Sequence, residues 1–353
     1  MAHSIVPPYL LSRIAQTEAE GLQNAARAAR RSLLAEPPLR AERRREALVP
    51  PVPGLPVAAA DAAPDRTVFD AKGTETLPGA RVRGETDAPT GDVAVNEAFD
   101  GLGATHALLA DAFGRDSIDG RGLPLLATVH YGVDYDNAFW DGERMVFGDG
   151  DGEVFGRFTA SLSVIGHELA HGVTQYTAAL EYEGQSGALN ESFSDVVGAL
   201  VEQHQRGQTA GEASWLIGEG LFTSAVEGRA LRSMIEPGTA YDDDVLGTDP
   251  QPASMADYVD TADDNGGVHL NSGIPNRAFA LAAIELGGFA WERAGQVWFD
   301  AITGGLSPRA DFAAFADATV EAARSRFGDD SAEAAAIASA WVTVGVRSDE
   351  RAA

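Results

Sequence analysis

Residues 167–171 read His-Glu-Leu-Ala-His, and twenty positions after the second histidine stands Glu191, within the run Asn190-Glu191-Ser192-Phe193-Ser194-Asp195. On a helix His167 and His171 sit at i and i+4, so both imidazoles leave one face a turn apart and can share a metal. Glu168 is rotated by about 100° from His167 and flanks that metal without ligating it. A catalytic zinc commonly takes three protein ligands and keeps a fourth position for water. Glu191 is the natural third ligand, on a second helix facing the first. Asp195, at i+4 from Glu191, falls on the same face. There it can accept the distal N–H of a ligating histidine and fix its tautomer, with Asn190 in the same supporting role.

Two histidines at this spacing also occur on solvated helix edges. Here the flanks oppose that reading: Leu162, Val164, Ile165, Leu169, Ala170 and Val173 give the helix buried sides, with Thr159 or Ser161 as N-cap. Burying two histidines in so apolar a helix without partners is costly, and ligation removes the cost. The chain has no cysteine, which excludes disulfides and thiolate ligands and leaves His, Asp and Glu to hold any metal. The redox compartment stays open.

At 353 residues with 44% hydrophobic content, the chain is long enough for two or three domains. Its net charge of −27 argues against a nucleic-acid partner or an anionic membrane, both of which need basic surface. No apolar run is long enough for a membrane helix, so no insertion is expected.

The run from Ser161 to Glu202 resembles the thermolysin-like neutral metalloproteases. It contains His-Glu-Leu-Ala-His-Gly-Val-Thr-Gln-Tyr-Thr-Ala-Ala-Leu-Glu-Tyr and then Ser-Gly-Ala-Leu-Asn-Glu-Ser-Phe-Ser-Asp. Asn137-Ala138-Phe139-Trp140, Met145 to Gly152, Leu231-Arg232-Ser233-Met234 and Asp264 to Gly273 match the same family in type and order. The resemblance implies a zinc endopeptidase acting on peptides and proteins, with a β-rich lobe, a mainly helical lobe and the active-site helix between them.

The first sixty residues differ from the rest. Eight arginines against five glutamates give them a net of +3, so the remaining chain carries the whole of the −27 and three charges more. Opposite signs suggest a segment that docks on the body. The start, Ser4 to Ile14, resembles the short prosegment of the protealysin subgroup. It lacks the basic opening of a signal peptide, and Pro7 and Pro8 break its apolar stretch. An Ala/Arg-rich stretch to about Arg31 has helical character, and 49–64 has the Pro/Ala/Gly composition of an exposed linker. We expect residues 1–60 to be a prosegment and linker that assists folding or restrains activity and is cut in the linker. Relatives are mostly secreted; without a recognisable signal, cytoplasmic residence or non-classical export is the other expectation.

Beyond that, 61–160 is expected as the β-rich catalytic lobe, interrupted by a helix near 93–113, and 161–353 as the helical lobe, with helices over 189–205, 273–287, 289–303, 310–327 and 331–344. The fold class is α+β.

The resemblance also implies roles. Glu168 takes the proton of the attacking water and passes it to the leaving amine. His269 and Tyr182 stabilise the oxyanion, with Asp264 orienting His269. Asn137 and the backbone of Ala138 pair with the extended substrate, and Arg232 holds the carbonyl after the scissile bond. Phe155, Phe158, Val164 and Leu231 line an apolar pocket that implies cleavage before bulky hydrophobic residues. For calcium, the family's paired site is depleted: Glu202 and Glu219 remain, but Ser163, Ser214 and Leu216 occupy other liganding positions, and Arg229 stands where an acid of a further site is expected. At most a weak calcium site near Glu202 and Glu219 is expected. The alternatives are a zinc aminopeptidase, disfavoured by the lack of a Gly-x-Met-Glu-Asn motif, and a catalytically silent zinc module, disfavoured by Glu168 and His269.

Overall fold

The computed structural model describes residues 3–46 and 63–348. Nearly all of the expected linker lies outside them.

A six-stranded mixed sheet forms the first half. Its strands are β1 (His3–Ser4), β2 (Arg66–Asp70), β3 (Ala80–Gly84), β4 (Leu125–Val129), β5 (Ala138–Trp140) and β6 (Met145–Phe147), in the spatial order β1-β5-β6-β4-β2-β3. The β2–β4 and β4–β6 pairs are parallel, and a parallel neighbour needs a crossover. Between β3 and β4 runs α3 (Val93–Phe113), which packs on β2 and β4. Asp92 caps its first turn by accepting from the N–H groups of Ala94 and Val95, and Gly114 ends it in the left-handed region at φ 59°.

Helix α4 (Leu162–Gln175) lies against α5 (Gly184–Arg206) as the most extensive helix pair of the molecule. Two glycines permit the approach. A Cβ on Gly198 would stand 2.3 Å from the Ser163 carbonyl oxygen, and one on Gly166 would stand 3.0 Å from the Gly198 Cα. The backbones therefore meet without side chains between them, which sets Glu191 and Asp195 opposite the histidines of α4.

The second half is helical, as expected: α6 (Asp264–Asn271), α7 (Gly273–Leu286), α8 (Ala294–Thr303), α9 (Phe312–Phe327) and α10 (Ala332–Thr343). Trp298 of α8 stacks on Trp341 of α10 at 5.8 Å, with Phe279 and Phe315 edge-on to Trp298. The boundaries differ in places. Helix α5 starts five residues before the expected 189, and α8 starts at 294 because Arg293 leaves the helical region (φ −126°, ψ −80°) after a short 3-10 turn over Ala290–Glu292. Ser161 is the N-cap of α4 by position, but its hydroxyl turns to Ser163 rather than to the helix N–H groups. Short pairs β7–β8 (Leu216–Ile217 with Arg232–Ser233) and β9–β10 (Asp242–Asp243 with Gly247–Thr248) were not expected.

The N-terminal segment packs on the body. It forms β1, α1 (Pro8–Ile14) and α2 (Gln23–Glu46), which runs beyond the expected Arg31. Leu10, Leu11 and Ile14 of α1 and Ala25 and Ala29 of α2 are buried in the main apolar core. No helix of the described residues is long and apolar enough to cross a membrane.

Candidate metal centre and peptide-binding cleft

Helix α4 points His167 Nε2 and His171 Nε2 at one another across 3.2 Å, and α5 brings the Glu191 carboxylate to 3.4 Å from the first and 3.5 Å from the second. All three side chains are buried. Ligand atoms on a tetrahedral zinc, with bonds of about 2.0–2.1 Å, stand about 3.3 Å apart. The three donors thus mark one triangular face of such a tetrahedron, and among the described residues they are the one cluster of three His, Asp or Glu groups spaced to hold a metal.

The distal nitrogens are already committed. His167 donates from Nδ1 to Asp195 Oδ1 at 2.7 Å, and His171 donates from Nδ1 to Asn190 Oδ1 at 2.9 Å, with the Ser194 hydroxyl at 3.1 Å. Each Nε2 is therefore the nitrogen left facing inward, the one a metal would take in exchange for a proton. Burial alone would depress the His167 pKa, but Asp195 and Glu191 outweigh it and carry it up to about 9. Burial works against the charge of Asp195 as well, yet Arg232 and His167 hold its carboxyl down at about 2.

Glu168, next to His167 on α4, accepts from the Trp140 N–H at 2.9 Å through Oε2. His269 comes from α6, whose first four residues, Asp264 to Gly267, all have positive φ. That left-handed run folds Asp264 back on its own helix. Its Oδ2 accepts from the His269 backbone N–H at 2.9 Å and its Oδ1 from Nδ1 at 2.7 Å. Burial disfavours the imidazolium, but Asp264 and Glu191 prevail and bring His269 to about 9. The Tyr182 hydroxyl donates to Glu191 Oε1 and lies 3.3 Å from His269 Nε2.

The start of the chain runs through this site. Strand β1 pairs antiparallel with β5, His3 opposite Trp140 and Ser4 opposite Phe139. His269 Nε2 donates to the Ser4 carbonyl at 3.1 Å, and Arg232 Nη1 donates to the Ile5 carbonyl at 3.0 Å. The Ile5 N–H donates to the Ala138 carbonyl at 3.1 Å. Val6 is held at both ends by Asn137, its N–H donating to Oδ1 at 2.9 Å and its carbonyl accepting from Nδ2 at 3.2 Å. Phe155, Phe158, Val164 and Leu231 are buried in the same apolar cluster as Ile5.

Arg232 is also the bidentate partner of Asp195, at 2.8 and 2.7 Å. Asn276 on α7 adds a third donor to that carboxylate at 2.8 Å, and Gln251 Nε2 holds the His269 carbonyl at 2.7 Å. Sequence reasoning missed Asn276, Gln251 and Ser194. For Asn276 a signal existed, a lone amide in the apolar stretch Ile274 to Phe279.

Away from the centre, Arg206 places its guanidinium 2.7 Å from Glu202, and Ser214 donates to Glu219 at 3.0 Å. A cation of this chain thus neutralises Glu202, in the region where calcium was considered.

Comparison with known proteins agrees with this geometry. Residues 60–175 match the thermolysin metallopeptidase catalytic domain, and residues 178–346 match the thermolysin metallopeptidase alpha-helical domain. An extracellular metalloprotease of Pectobacterium carotovorum subsp. carotovorum is 48% identical over 344 residues, spanning 97% of this chain and 96% of its own. Protease PrtS of Photorhabdus sp. is 51% identical over 288 residues, 81% of this chain and 77% of its own. Among solved structures, the precursor of protealysin, a metalloproteinase from Serratia proteamaculans, superposes with a TM-score of 0.87 at 50% identity, over 98% of this chain and all of that one. The chain belongs to the thermolysin metallopeptidase family, and His167, His171 and Glu191 are its zinc-binding triad.

Proposed function

We propose that the chain is the precursor of a zinc endopeptidase whose cleft is filled by its own N-terminal segment. One observation carries this: Ser4, Ile5 and Val6 make, one residue after another, the backbone contacts a substrate would make. If Arg232 holds the carbonyl of the residue after the cut, Ile5 stands in that place and the Ser4–Ile5 bond lies where cleavage occurs. His3 then lies on the amino side of the cut, paired with Trp140. A cleft that accepts residues before the cut suits an endopeptidase and opposes the aminopeptidase alternative.

His167, His171 and Glu191 would hold zinc, which when bound would act as the Lewis acid that makes water a nucleophile near neutral pH and polarises the peptide carbonyl. Glu168 accepts the proton of the attacking water and delivers it to the leaving amine. His269, kept protonated by Asp264, and the Tyr182 hydroxyl donate to the oxygen on which charge develops. Asp195 and Asn190 hold the ligating histidines. Asn137 and Ala138 align the peptide, Arg232 fixes the carbonyl after the cut, and Phe155, Phe158, Val164 and Leu231 select bulky apolar residues such as Leu or Phe.

Residues 1–60 serve as prosegment and linker, 61–160 as the β-rich catalytic lobe and 161–353 as the helical lobe. The name of the Pectobacterium relative supports secretion of this chain. The test incubates full-length protein and Glu168→Gln with an unfolded, N-terminally blocked polypeptide and identifies new termini by mass spectrometry. Internal cuts before Leu, Ile or Phe, absent from the variant, are expected. Trimming from free amino ends alone would overturn the reading. N-terminal sequencing of fully active material decides the prosegment: an intact start in active enzyme removes it.

A further inference from the structure

The catalytic reading leaves one buried acid unexplained. Asp136, immediately before Asn137, is fully buried, and its carboxyl group is hydrogen-bonded to Asp151, through that residue's backbone N–H and its side chain. It faces the carboxyl group of Asp151. That second carboxylate is satisfied as an anion, accepting from the N–H groups of Glu153 and Val154 at 2.6 Å each and of Phe155 at 3.3 Å.

The N-terminal segment covers this pair. The Asp136 N–H donates to Ser32 Oγ at 2.9 Å, the Asp151 carbonyl accepts from Asn24 Nδ2 at 3.1 Å, and Glu153 accepts from the Ala25 N–H at 2.9 Å. Ser32, Asn24 and Ala25 all belong to α2. Among the described side chains of α2, Arg27 bonds to Asn24, Arg30 to the Ala15 carbonyl and Arg31 to Asp134, none of them to Asp136. The acids around Asp136 are Asp151 and Asp134. Beyond them Glu153 is bound to the first turn of α2, and Asp149 is held by His130.

We infer that Asp136 and Asp151 share one proton while residues 3–35 are seated, and that unseating the segment releases this proton to solvent. The inference rests on the prosegment reading above. Two buried carboxylates with no cation between them cannot both be charged. Asp151 accepts from three backbone N–H groups and Asp136 only from that of Asp151, so Asp136 keeps the proton. Burial, and then Asp151, push the Asp136 pKa up to about 10. When α2 lifts, water reaches the pair and the proton leaves. Because the seated state has the higher pKa, seating is favoured at low pH and loses up to tenfold in equilibrium constant per pH unit, until the pH reaches the seated pKa. The prosegment contacts the two residues that share the proton, and Asp136 adjoins the asparagine that grips Val6. Deprotonation therefore loosens α2 and the Asn137 clamp together.

The test uses the full-length chain carrying Glu168→Gln, so that self-cleavage does not intervene. Hydrogen-exchange protection of residues 4–6 and 24–32, corrected for the chemical exchange rate, is measured from about pH 6 to about pH 9. Protection should fall by up to tenfold per pH unit. With Asp136→Asn added, a neutral isostere of the protonated acid, that slope should flatten. An infrared spectrum of the seated chain above neutral pH should hold a protonated-carboxyl band that Asp136→Asn removes. Equal slopes in the two proteins overturn the inference, as does the absence of such a band from the parent. The parent's band alone decides the matter if the second variant does not fold. Neither readout depends on whether the segment is ever cut, so failure here is distinct from failure of the prosegment reading.

Discussion

Asp195 serves two residues at once: its Oδ1 accepts from His167 Nδ1 at 2.7 Å while both its oxygens bind Arg232. One buried carboxylate thus fixes a metal ligand and the arginine that holds the Ile5 carbonyl. Asp195→Asn keeps the shape but surrenders the charge. Zinc affinity should fall by roughly 10–100-fold, the usual effect of losing the group behind a ligating histidine. KM should rise as well, because Arg232 loses its anchor. Competition with a zinc-selective chelator, together with steady-state kinetics, checks both. An unchanged zinc affinity would refute the link.

Glu168→Gln should lower kcat by roughly 10²–10⁴-fold, the range for removing a general base. Zinc content should stay at one per chain, since Glu168 is not among the three metal-spaced residues. Metal analysis beside kinetics separates this from a variant that has merely lost its metal.

A second, partly exposed charge cluster contributes to stability. His130 joins two parts of the first lobe, its Nε2 2.9 Å from Asp92 at the start of α3 and its Nδ1 2.8 Å from Asp149. Partial burial opposes its charge, but hydrogen bonds to the two aspartates raise its pKa. Its contribution is therefore complete below the unfolded pKa of about 6.5 and is lost as pH rises through the higher folded value. His130→Ala should cost about 1 kcal/mol near pH 6, a figure kept small because solvent reaches the clamp. The gap from the parent should narrow near pH 9 in thermal melts. A gap that widens with pH would contradict the sign.

Calcium should matter little. Arg206 is paired with Glu202, and Ser214 is bonded to Glu219. Removing calcium while zinc is kept saturated should shift Tm by less than about 2 °C, below what the loss of about 1 kcal/mol produces in a domain of this size. A fall of ten degrees would sink the expectation.

Ile5→Asp should release the cleft. Ile5 is fully buried in the apolar core, and burying a carboxylate in its place is costly. The full-length variant should cleave a small blocked peptide at least tenfold faster than the parent before any cut in its linker. Equal initial rates would show that Ile5 is not what holds the cleft shut.

The triad was legible because its logic is local. An i, i+4 pair of histidines and an i, i+4 pair of acids each report a helix face, and the apolar flanks of α4 show that the face is buried. The residues that complete the site were legible only through family resemblance or not at all. Asp264 reaches His269 through four consecutive left-handed residues, a path that periodicity does not encode. Asn276 and Gln251 act across distant elements; the apolar stretch around Asn276 marks the amide as unusual but does not name its partner, and nothing near Gln251 marks it at all. Strand β1 is two residues long, too short to show any alternation, and its pairing with β5 depends on where the finished sheet leaves an edge.

The contacts of that strand span almost the whole chain: Val6 meets Asn137 across 131 positions, Ile5 meets Arg232 across 227, and Ser4 meets His269 across 265. The residues of this strand therefore have their complete seat only once residues as distant as His269 are in place. Until then they are a loose tether; afterwards they compete with substrate from within the same molecule, at an effective concentration of the order of millimolar that dilution does not change. One break between residues 46 and 63 ends that advantage. The same contacts then belong to a separate peptide whose hold weakens as the solution thins, so where a molecule finds itself after the cut decides how quickly it begins to work.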